Sequence, residues 1–410
     1  MHFKEACDLL SVRSSVPGVG LAGLRILLKK LGNPEKKFKV IQVAGTNGKG
    51  SVCTLLAHTL ATAGYKTGLF ISPHLIHVME RITINDSPIP RKDLCRILQK
   101  VISFETIPLN FFELLTASAL TYFAEKNVEY VVLETGLGGR KDPTTVCSPL
   151  ICVVTSIGLD HTQLLGNTLK KIATEKAGII KKKVPVFCGE IPLVALRVLR
   201  SFAHQKDAPF VIVRTGNPFS CAKIKWYKNE MILSNGRTCW PLHVIGEKQP
   251  LNACLVYQIC TYLAIPATVI KESFKTVHLR GRFEEIHYQK NQFILDGAHN
   301  PQAIKSLVTL WKKHPSYPRG TLLCGFMKDK DFPQMLRLLK PHFEKIIVTM
   351  PSSKRACGLK ELSPFLEKQI VFEPDFKKAF EQGRQKRLLV CTGSFYLVGA
   401  CLKKIECGKI

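Results

Sequence analysis

Short continuous apolar runs alternate with stretches of helical periodicity along most of the chain. Residues 39–44 read as a buried strand, and apolar positions from Val52 to Leu60 recur at helical spacing until Ala63-Gly64. The same alternation predicts a strand over 66–71, helices over 91–104 and 110–127, strands over 130–133 and 150–155, and a helix around Ile172–Ile179. In the 110–127 helix, Phe111, Phe112, Leu115, Ala119 and Phe123 share one face, as in a helix packed on a core. From Gln292 the alternation restarts, with a strand over 293–295 and a helix opening at Asn300-Pro301. Two helices, near Lys4–Leu10 and Leu21–Leu31, lead in, and residues 222–244 read as a polar hairpin. Such alternation predicts an α/β protein. No apolar run of roughly 18 residues, internal repeat or low-complexity segment interrupts it.

Composition narrows the picture. A chain of 410 residues with 46% hydrophobic content is long for one core and fits two domains, or three. Met1-His2-Phe3-Lys4-Glu5 is neither a signal peptide nor a transit peptide, so a cytoplasmic protein with no membrane association is expected. The 15 cysteines are scattered without a Cys-x-x-Cys pair, which argues for reduced, buried thiols over a disulfide framework or zinc ribbon. Lys and Arg number 59 against 31 Asp and Glu, a formal charge of +28 that raises nucleic-acid binding as a hypothesis. The clusters Lys181-Lys182-Lys183 and Arg384-Gln385-Lys386-Arg387 lack interleaved aromatics, however, and no RNA-binding or zinc-finger signature accompanies them. No nucleic-acid partner is expected; polyanionic substrates account for part of the charge.

The candidate chemistry starts at Gly45-Thr46-Asn47-Gly48-Lys49-Gly50-Ser51, between the 39–44 strand and its helix. Three glycines let backbone N–H groups close around an anion, the helix N-terminus favours negative charge, and Lys49 can reach a β- or γ-phosphate. The Ser51 hydroxyl can ligate Mg²⁺. Glu134 ends the 130–133 strand, where open α/β sheets place ligands, and is a candidate Mg²⁺ ligand. Asp160-His161 precedes a helix carrying Glu175-Lys176; His161 can ligate a second cation, while Lys176, by spacing alone, pairs with Glu175 or Asp160 on a surface. Gln249 and Asn252 lie three apart at a helix start and can face one ligand. Arg282 offers a fork suited to phosphate. Asp296, at a strand end, can take a ribose hydroxyl, and His299 can contact a phosphate. His74, after Pro73, reads without context as a surface loop residue.

Gly-Thr-Asn-Gly-Lys followed by Gly50-Ser51 resembles the phosphate loop of Mur-type ligases, and specifically the folate branch, the folylpolyglutamate and dihydrofolate synthases. The resemblance continues in the family's order through Pro17–Leu31, Ser72-Pro73-His74-Leu75, Glu80-Arg81-Ile82, Asn110-Phe111-Phe112-Glu113 and Glu134 to Asp142. It extends through Ser156 to His161, Glu175-Lys176-Ala177-Gly178, Gly246 to Ala253, Arg280 to Glu284, Asp296 to Pro301, Leu323 to Asp331 and Thr392 to Gly399. Two departures stand out: Asp142-Pro143-Thr144-Thr145 where the family has Asp-Ala-Thr-Asn, and Lys248 where it has His.

The resemblance implies a Mur-ligase-like fold, with a P-loop NTPase-type domain over 1–284 and a smaller Rossmann-like glutamate ligase domain over 285–410. It implies ATP-dependent addition of L-glutamate to dihydropteroate and reduced folates through an acyl phosphate, in a monomer. Ser72, Pro73, His74 and Phe112 would border the pterin, and Gln249 and Asn252 the adenine. Arg282 would contact triphosphate and His299 the acyl phosphate. Lys176 would be carbamylated and, with His161, hold a second Mg²⁺; a monovalent cation is also allowed for. The rivals are a Mur-type ligase for another carboxylate, a non-catalytic nucleotide-dependent binding module, which would not need Glu134, His161 and Lys176 together, and a nucleic-acid-binding ATPase. The cradle's Gly50 and the roughly 40 preceding residues argue against a peptidoglycan ligase.

Overall fold

A computed structural model of the chain describes residues 1–219 and 221–407. Its first sheet has eight strands: β1 (Lys39–Ala44), β2 (Thr67–Phe70), β3 (Ile82–Ile84), β4 (Ser87–Pro88), β5 (Tyr130–Glu134), β6 (Ile151–Val154), β7 (Val186–Cys188) and β8 (Phe210–Ile212). They lie in the order β4-β3-β2-β5-β1-β6-β7-β8, parallel from β2 to β8 with an antiparallel β3-β4 edge. β1, β2, β5, β6 and β7 are buried almost throughout, which is why they read as apolar runs without alternation. Helices Phe3–Arg13, Gly20–Lys30, Arg91–Ser103 and Phe111–Glu125 share one core cluster with Val40, Phe70, Val131 and Leu133. Helices Leu169–Ala177 and Leu193–Gln205 build a second cluster on Ala44, Cys152 and Val154.

The 222–244 segment is not a hairpin but a three-stranded meander, β9 (Cys221–Lys225), β10 (Glu230–Ser234) and β11 (Cys239–Leu242), all antiparallel. Two turns, at left-handed Asn229 and at Asn235-Gly236, divide it, and Pro241 sits in an edge strand where its missing N–H costs little. A third sheet contains β12 (Glu284–Tyr288), β13 (Asn291–Leu295), β14 (Thr321–Cys324), β15 (Lys345–Val348), β16 (Ile370–Phe372) and β17 (Leu388–Thr392) in the order β12-β13-β17-β14-β15-β16. It is parallel apart from β12.

The chain forms two compact units, Met1–Pro218 with Leu251–Phe274, and Phe219–Pro250 with Lys275–Ile410. By this division the meander belongs with the third sheet, and the last crossing into the second unit precedes residue 284 by several residues. No disulfide joins the described cysteines, and no described helix is long and apolar enough to cross a membrane.

The first unit is tied together at Glu113, a 3% exposed carboxylate. It accepts backbone N–H groups of Val19 (3.1 Å), Gly20 (2.9 Å) and Asn110 (3.1 Å), while Asn110 Oδ1 caps Phe112 N and Glu113 N. One acid thus fixes the starts of two helices, Gly20–Lys30 and Phe111–Glu125. Glu113→Ala strands those donors; a loss of about 3 kcal/mol is expected in the first unit's urea transition, with Glu113→Gln recovering part of it.

Candidate active site

β1 runs between β5 and β6, and the loops leaving the carboxyl ends of β1, β2, β5 and β6 meet there. The Gly45–Ser51 loop is clamped by the turn after β6. Ser156 O accepts from Thr46 N (2.8 Å), Ser156 Oγ accepts from Asn47 N (2.8 Å), and Thr155 Oγ1 donates to Asn47 O (2.7 Å). A Cβ on Gly45 would lie 2.0 Å from Thr155 Oγ1, so only glycine permits this approach. Gly48 is left-handed (φ 85°) and opens helix Lys49–Thr62; a Cβ there would come 3.0 Å from Asn252 Oδ1. Asn252 therefore lies against the loop. Lys49 Nζ is 3.4 Å from Thr46 O and 4.0 Å from Glu134 Oε1. Ser51, within the first turn of this helix, is buried. A helix N-terminus, a lysine and a lining of backbone groups together make an anion cradle.

Glu134, 4% exposed at the end of β5, also accepts Ser72 N at 2.9 Å, which links the loop after β2 to the cradle. Ser51 and Glu134 are oxygen donors of the kind Mg²⁺ takes. Among the described residues no group of three or more His, Cys, Asp or Glu side chains could hold a metal, so a cation here depends on mixed ligands.

Lys176 is not at the surface, contrary to the expectation from spacing. It is 4% exposed, and its Nζ donates to Gly45 O at 2.8 Å. Burial, then the neighbouring Lys49 charge, pushes its pKa down to about 7, with Asp160 opposing. A substantial neutral fraction at physiological pH is what reaction of an amine with CO₂ requires. Glu175, the expected partner, pairs instead with Arg140. His161 is left-handed (φ 49°), and its backbone N–H donates to Asp160 Oδ1 at 2.8 Å. Asp160 thus associates His161 and Lys176 in one region.

His74 is also more enclosed than a surface loop residue. Its Nδ1 accepts from Arg81 Nε at 2.8 Å, and burial, then Arg81, lowers its pKa to about 4. Arg81 lies 5.0 Å from the Phe111 ring centroid. Glu80 anchors the Ser72–His77 loop by accepting Leu75 N (2.8 Å), Ile76 N (3.0 Å) and His77 N (2.7 Å). Phe112 packs on Phe70 at 5.6 Å between centroids, and a Cβ on Gly136 would meet its ring at 2.6 Å. Ser72, Pro73, His74 and Phe112 therefore border the loops around Glu134.

In the second unit Arg282, Asp296 and His299 gather around Phe395. The Arg282 guanidinium lies 4.6 Å from the Phe395 centroid, and the His299 ring lies 5.4 Å from it. A Cβ on Gly297 would strike Phe395 at 2.4 Å. Asp296, at the end of β13, accepts Phe283 N (2.9 Å) and Ala298 N (2.8 Å); burial raises its pKa, with Arg282 opposing. His299 Nδ1 is 2.8 Å from Gly297 O. Arg282 also lines a cavity of about 340 Å³ with His243, His278 and Arg280. Gln249, 6% exposed, begins helix Gln249–Tyr262 at the unit boundary. Lys248 pairs with Glu247 at 2.9 Å.

Sequence pattern alone gives Phe395 no role; its place directly after Thr392-Gly393-Ser394 is the one signal. Thr155 and Ser156 act through bonds to Asn47, far away in the chain, which local patterning does not reveal, and Glu80 caps backbone N–H groups of its near neighbours.

Two domain-family models match the chain, Mur ligase middle domain over residues 43–257 and Mur ligase, glutamate ligase domain, over 281–395. The chain is 32% identical to dihydrofolate synthase/folylpolyglutamate synthase of Bacillus subtilis, over 94% of this chain and 95% of that protein. It is 31% identical to dihydrofolate synthetase of Saccharomyces cerevisiae, over 94% and 97%. Among solved structures, folylpolyglutamate synthase from Thermotoga maritima superposes with a TM-score of 0.84 at 33% identity, covering 100% of this chain and 99% of that one. Escherichia coli FolC in complex with DHPP and ADP gives 0.85 at 28%, over 99% and 98%.

The lowered pKa of His74 has a defined sign. Between the ordinary value of 6.5 and about 4 the unfolded chain takes a proton that the folded chain refuses, so stability falls as pH drops through that window. His74→Gln removes this acid sensitivity. Urea unfolding of both proteins should show the native chain losing up to about 3 kcal/mol relative to the variant between pH 7 and 4.

Proposed function

Because the chain belongs to the Mur ligase family, in its dihydrofolate synthase/folylpolyglutamate synthase branch, we propose that it joins L-glutamate to dihydropteroate and to reduced folates at the expense of ATP. The observation that carries the catalytic half of this reading is the cradle, closed by Thr155 and Ser156, with Lys49 at its helix N-terminus 4.0 Å from Glu134. A carboxylate cannot expel oxide at neutral pH, so it must be activated. An acceptor carboxylate oxygen attacks the γ-phosphorus, the bond to the β–γ bridging oxygen breaks, and ADP leaves. The glutamate amine then attacks the acyl carbon, phosphate departs with the bonding pair, and the amine's proton passes to it.

Lys49 and the cradle's N–H groups stabilise charge on the transferring phosphoryl group. Ser51 and Glu134, buried oxygen donors, would hold Mg²⁺. When bound, Mg²⁺ supplies charge neutralisation and orientation of the phosphates. Lys176 fits a second role. Its amine donates to Gly45 O as it stands, and addition of CO₂ to its neutral form, with loss of one proton to solvent, would convert it to an anionic carbamate that keeps one N–H and could, with His161, hold a further cation. Arg282, stacked on Phe395, presents its fork to phosphate, Asp296 accepts from a ribose hydroxyl, and His299 contacts the transferred phosphate. Ser72, Pro73, His74 and Phe112 border the pterin, while Gln249 and Asn252 serve the adenine.

The test is incorporation of labelled glutamate with ATP and Mg²⁺, running dihydropteroate and tetrahydrofolate separately. Label on both acceptors is expected; label on neither overturns the substrate assignment. Lys49→Ala should lower kcat on the order of 10³-fold with an unchanged melting temperature. Intact-mass analysis under CO₂, after chemical trapping, should find Lys176 carbamylated; a free amine in active enzyme removes that role.

A further inference from the structure

The Gly136–Asp142 loop is held from within by side chains for which the ligase reading has no task. Gln42, fully buried on β1, donates from Nε2 to Thr144 Oγ1 (3.0 Å) and Thr145 Oγ1 (2.9 Å). Each hydroxyl spends its own proton elsewhere: Thr144 Oγ1 donates to Asp142 Oδ1 (2.6 Å) and Thr145 Oγ1 to Gly139 O (2.7 Å). Both can therefore only accept from Gln42, which fixes the orientation of its amide. Gln42 Oε1 is left buried without a hydrogen-bond partner, so this arrangement is kept at a cost to stability.

From Gly139 the contacts lead to Lys176. A Cβ on Gly139 would lie 2.9 Å from Glu175 O and 3.0 Å from Lys176 O. Arg140 N donates to Glu175 O at 2.9 Å, and a Cβ on Gly178 would come within 2.3 Å of Arg140 Cα. The loop and the end of helix Leu169–Ala177 thus approach closely backbone to backbone, and the Arg140 and Glu175 side chains pair across the same contact, so a shift of one is felt by the other. Lys176 Nζ returns to Gly45 O, directly after the strand that carries Gln42. The circuit is closed: β1, Thr145, Gly139, the Lys176 helix, Gly45.

We propose that Gln42 and Thr145 are a positioning pair for Lys176, setting the register of the Gly139 turn and hence the place of the Lys176 side chain beneath the cradle. Thr145 stands at the departure from Asp-Ala-Thr-Asn, so this chain builds the link with a hydroxyl. The inference rests on the ligase reading for its kinetic consequence but not for its geometry.

Thr145→Val keeps the side chain's shape and removes its hydrogen bonds. It should lower kcat about tenfold or more while leaving KM for ATP within about twofold, because positioning is lost and nucleotide contacts are not. Thr145→Ser should restore kcat to within about threefold of the native value. Gln42→Met should reproduce the Thr145→Val loss, and the double variant should be no worse than either single one. Hydrogen exchange at the Arg140 amide, bonded to Glu175 O, should quicken in Thr145→Val and return to the native rate in Thr145→Ser. Unchanged kcat in the folded variants, failure of serine to restore it, or multiplying losses in the double variant would overturn the proposal. If Thr145→Val does not fold, Gln42→Met carries the same comparison. Native protein inactive on every acceptor would count against the ligase reading, and the exchange rates would still decide the pair.

Discussion

A lysine amine buried beneath a glycine loop is the constraint from which the rest of the first unit follows. Removing an ammonium from water is costly, and the chain meets that cost partly with the Gly45 carbonyl and partly by lowering the amine's pKa to about 7. Such a contact needs the loop backbone to come very close. Gly45 passes against Thr155, while Gly139 and Gly178 let the Lys176 helix seat on the neighbouring turn. A methyl at any of these positions would displace the amine or the cradle. The glycines that sequence patterns associate with phosphate therefore also serve packing.

Parallel topology supplies the convergence. With β1 between β5 and β6, the carboxyl ends of adjacent strands deliver Gly45, Glu134 and Thr155 to one edge of the sheet. The second unit repeats the logic at neighbouring β13 and β17, whose ends deliver Asp296 and the turn leading to Phe395. In each unit, stiff hydrogen-bonded strands fix what the loops present.

What was legible in the sequence follows from the range of the interactions. Buried strands appear as apolar runs because both faces are covered, and the helix over Phe111–Glu125 declares itself by its stripe and by the Asn110–Glu113 capping box. The cradle is local and glycine-dependent, so it too could be read. The meander was misread because a polar edge segment carries little periodic signal, and only its two turns give the strand count. The surroundings of Lys176 and His74 were hidden for another reason. Lys176 meets Gly45, 131 positions away, and His74 meets Arg81 across a loop whose course spacing does not give.

The same physics bears on the charge. Acids are the scarcer group, 31 against 59 bases, and several are committed to backbone N–H groups. Glu113 holds two helix starts, Glu80 the loop after β2, Glu134 the Ser72 amide, Asp142 the turn at Leu137 and Thr144, and Asp296 the Phe283 and Ala298 amides. A carboxylate used this way organises a loop, because it gathers several donors and rewards only one arrangement of them, whether they are near neighbours, as for Glu80, or far along the chain, as Val19 and Gly20 are for Glu113. Some basic residues meet an internal demand of the same kind: Lys176 donates to Gly45 O, Arg13 to Leu109 O and Arg81 to His74 Nδ1. Arg282 rests on the Phe395 ring, and Lys49, at a helix start, lies 4.0 Å from Glu134 Oε1. Inside the fold, acids and bases alike thus hold loops by bonding groups that only one arrangement of the loop brings within reach.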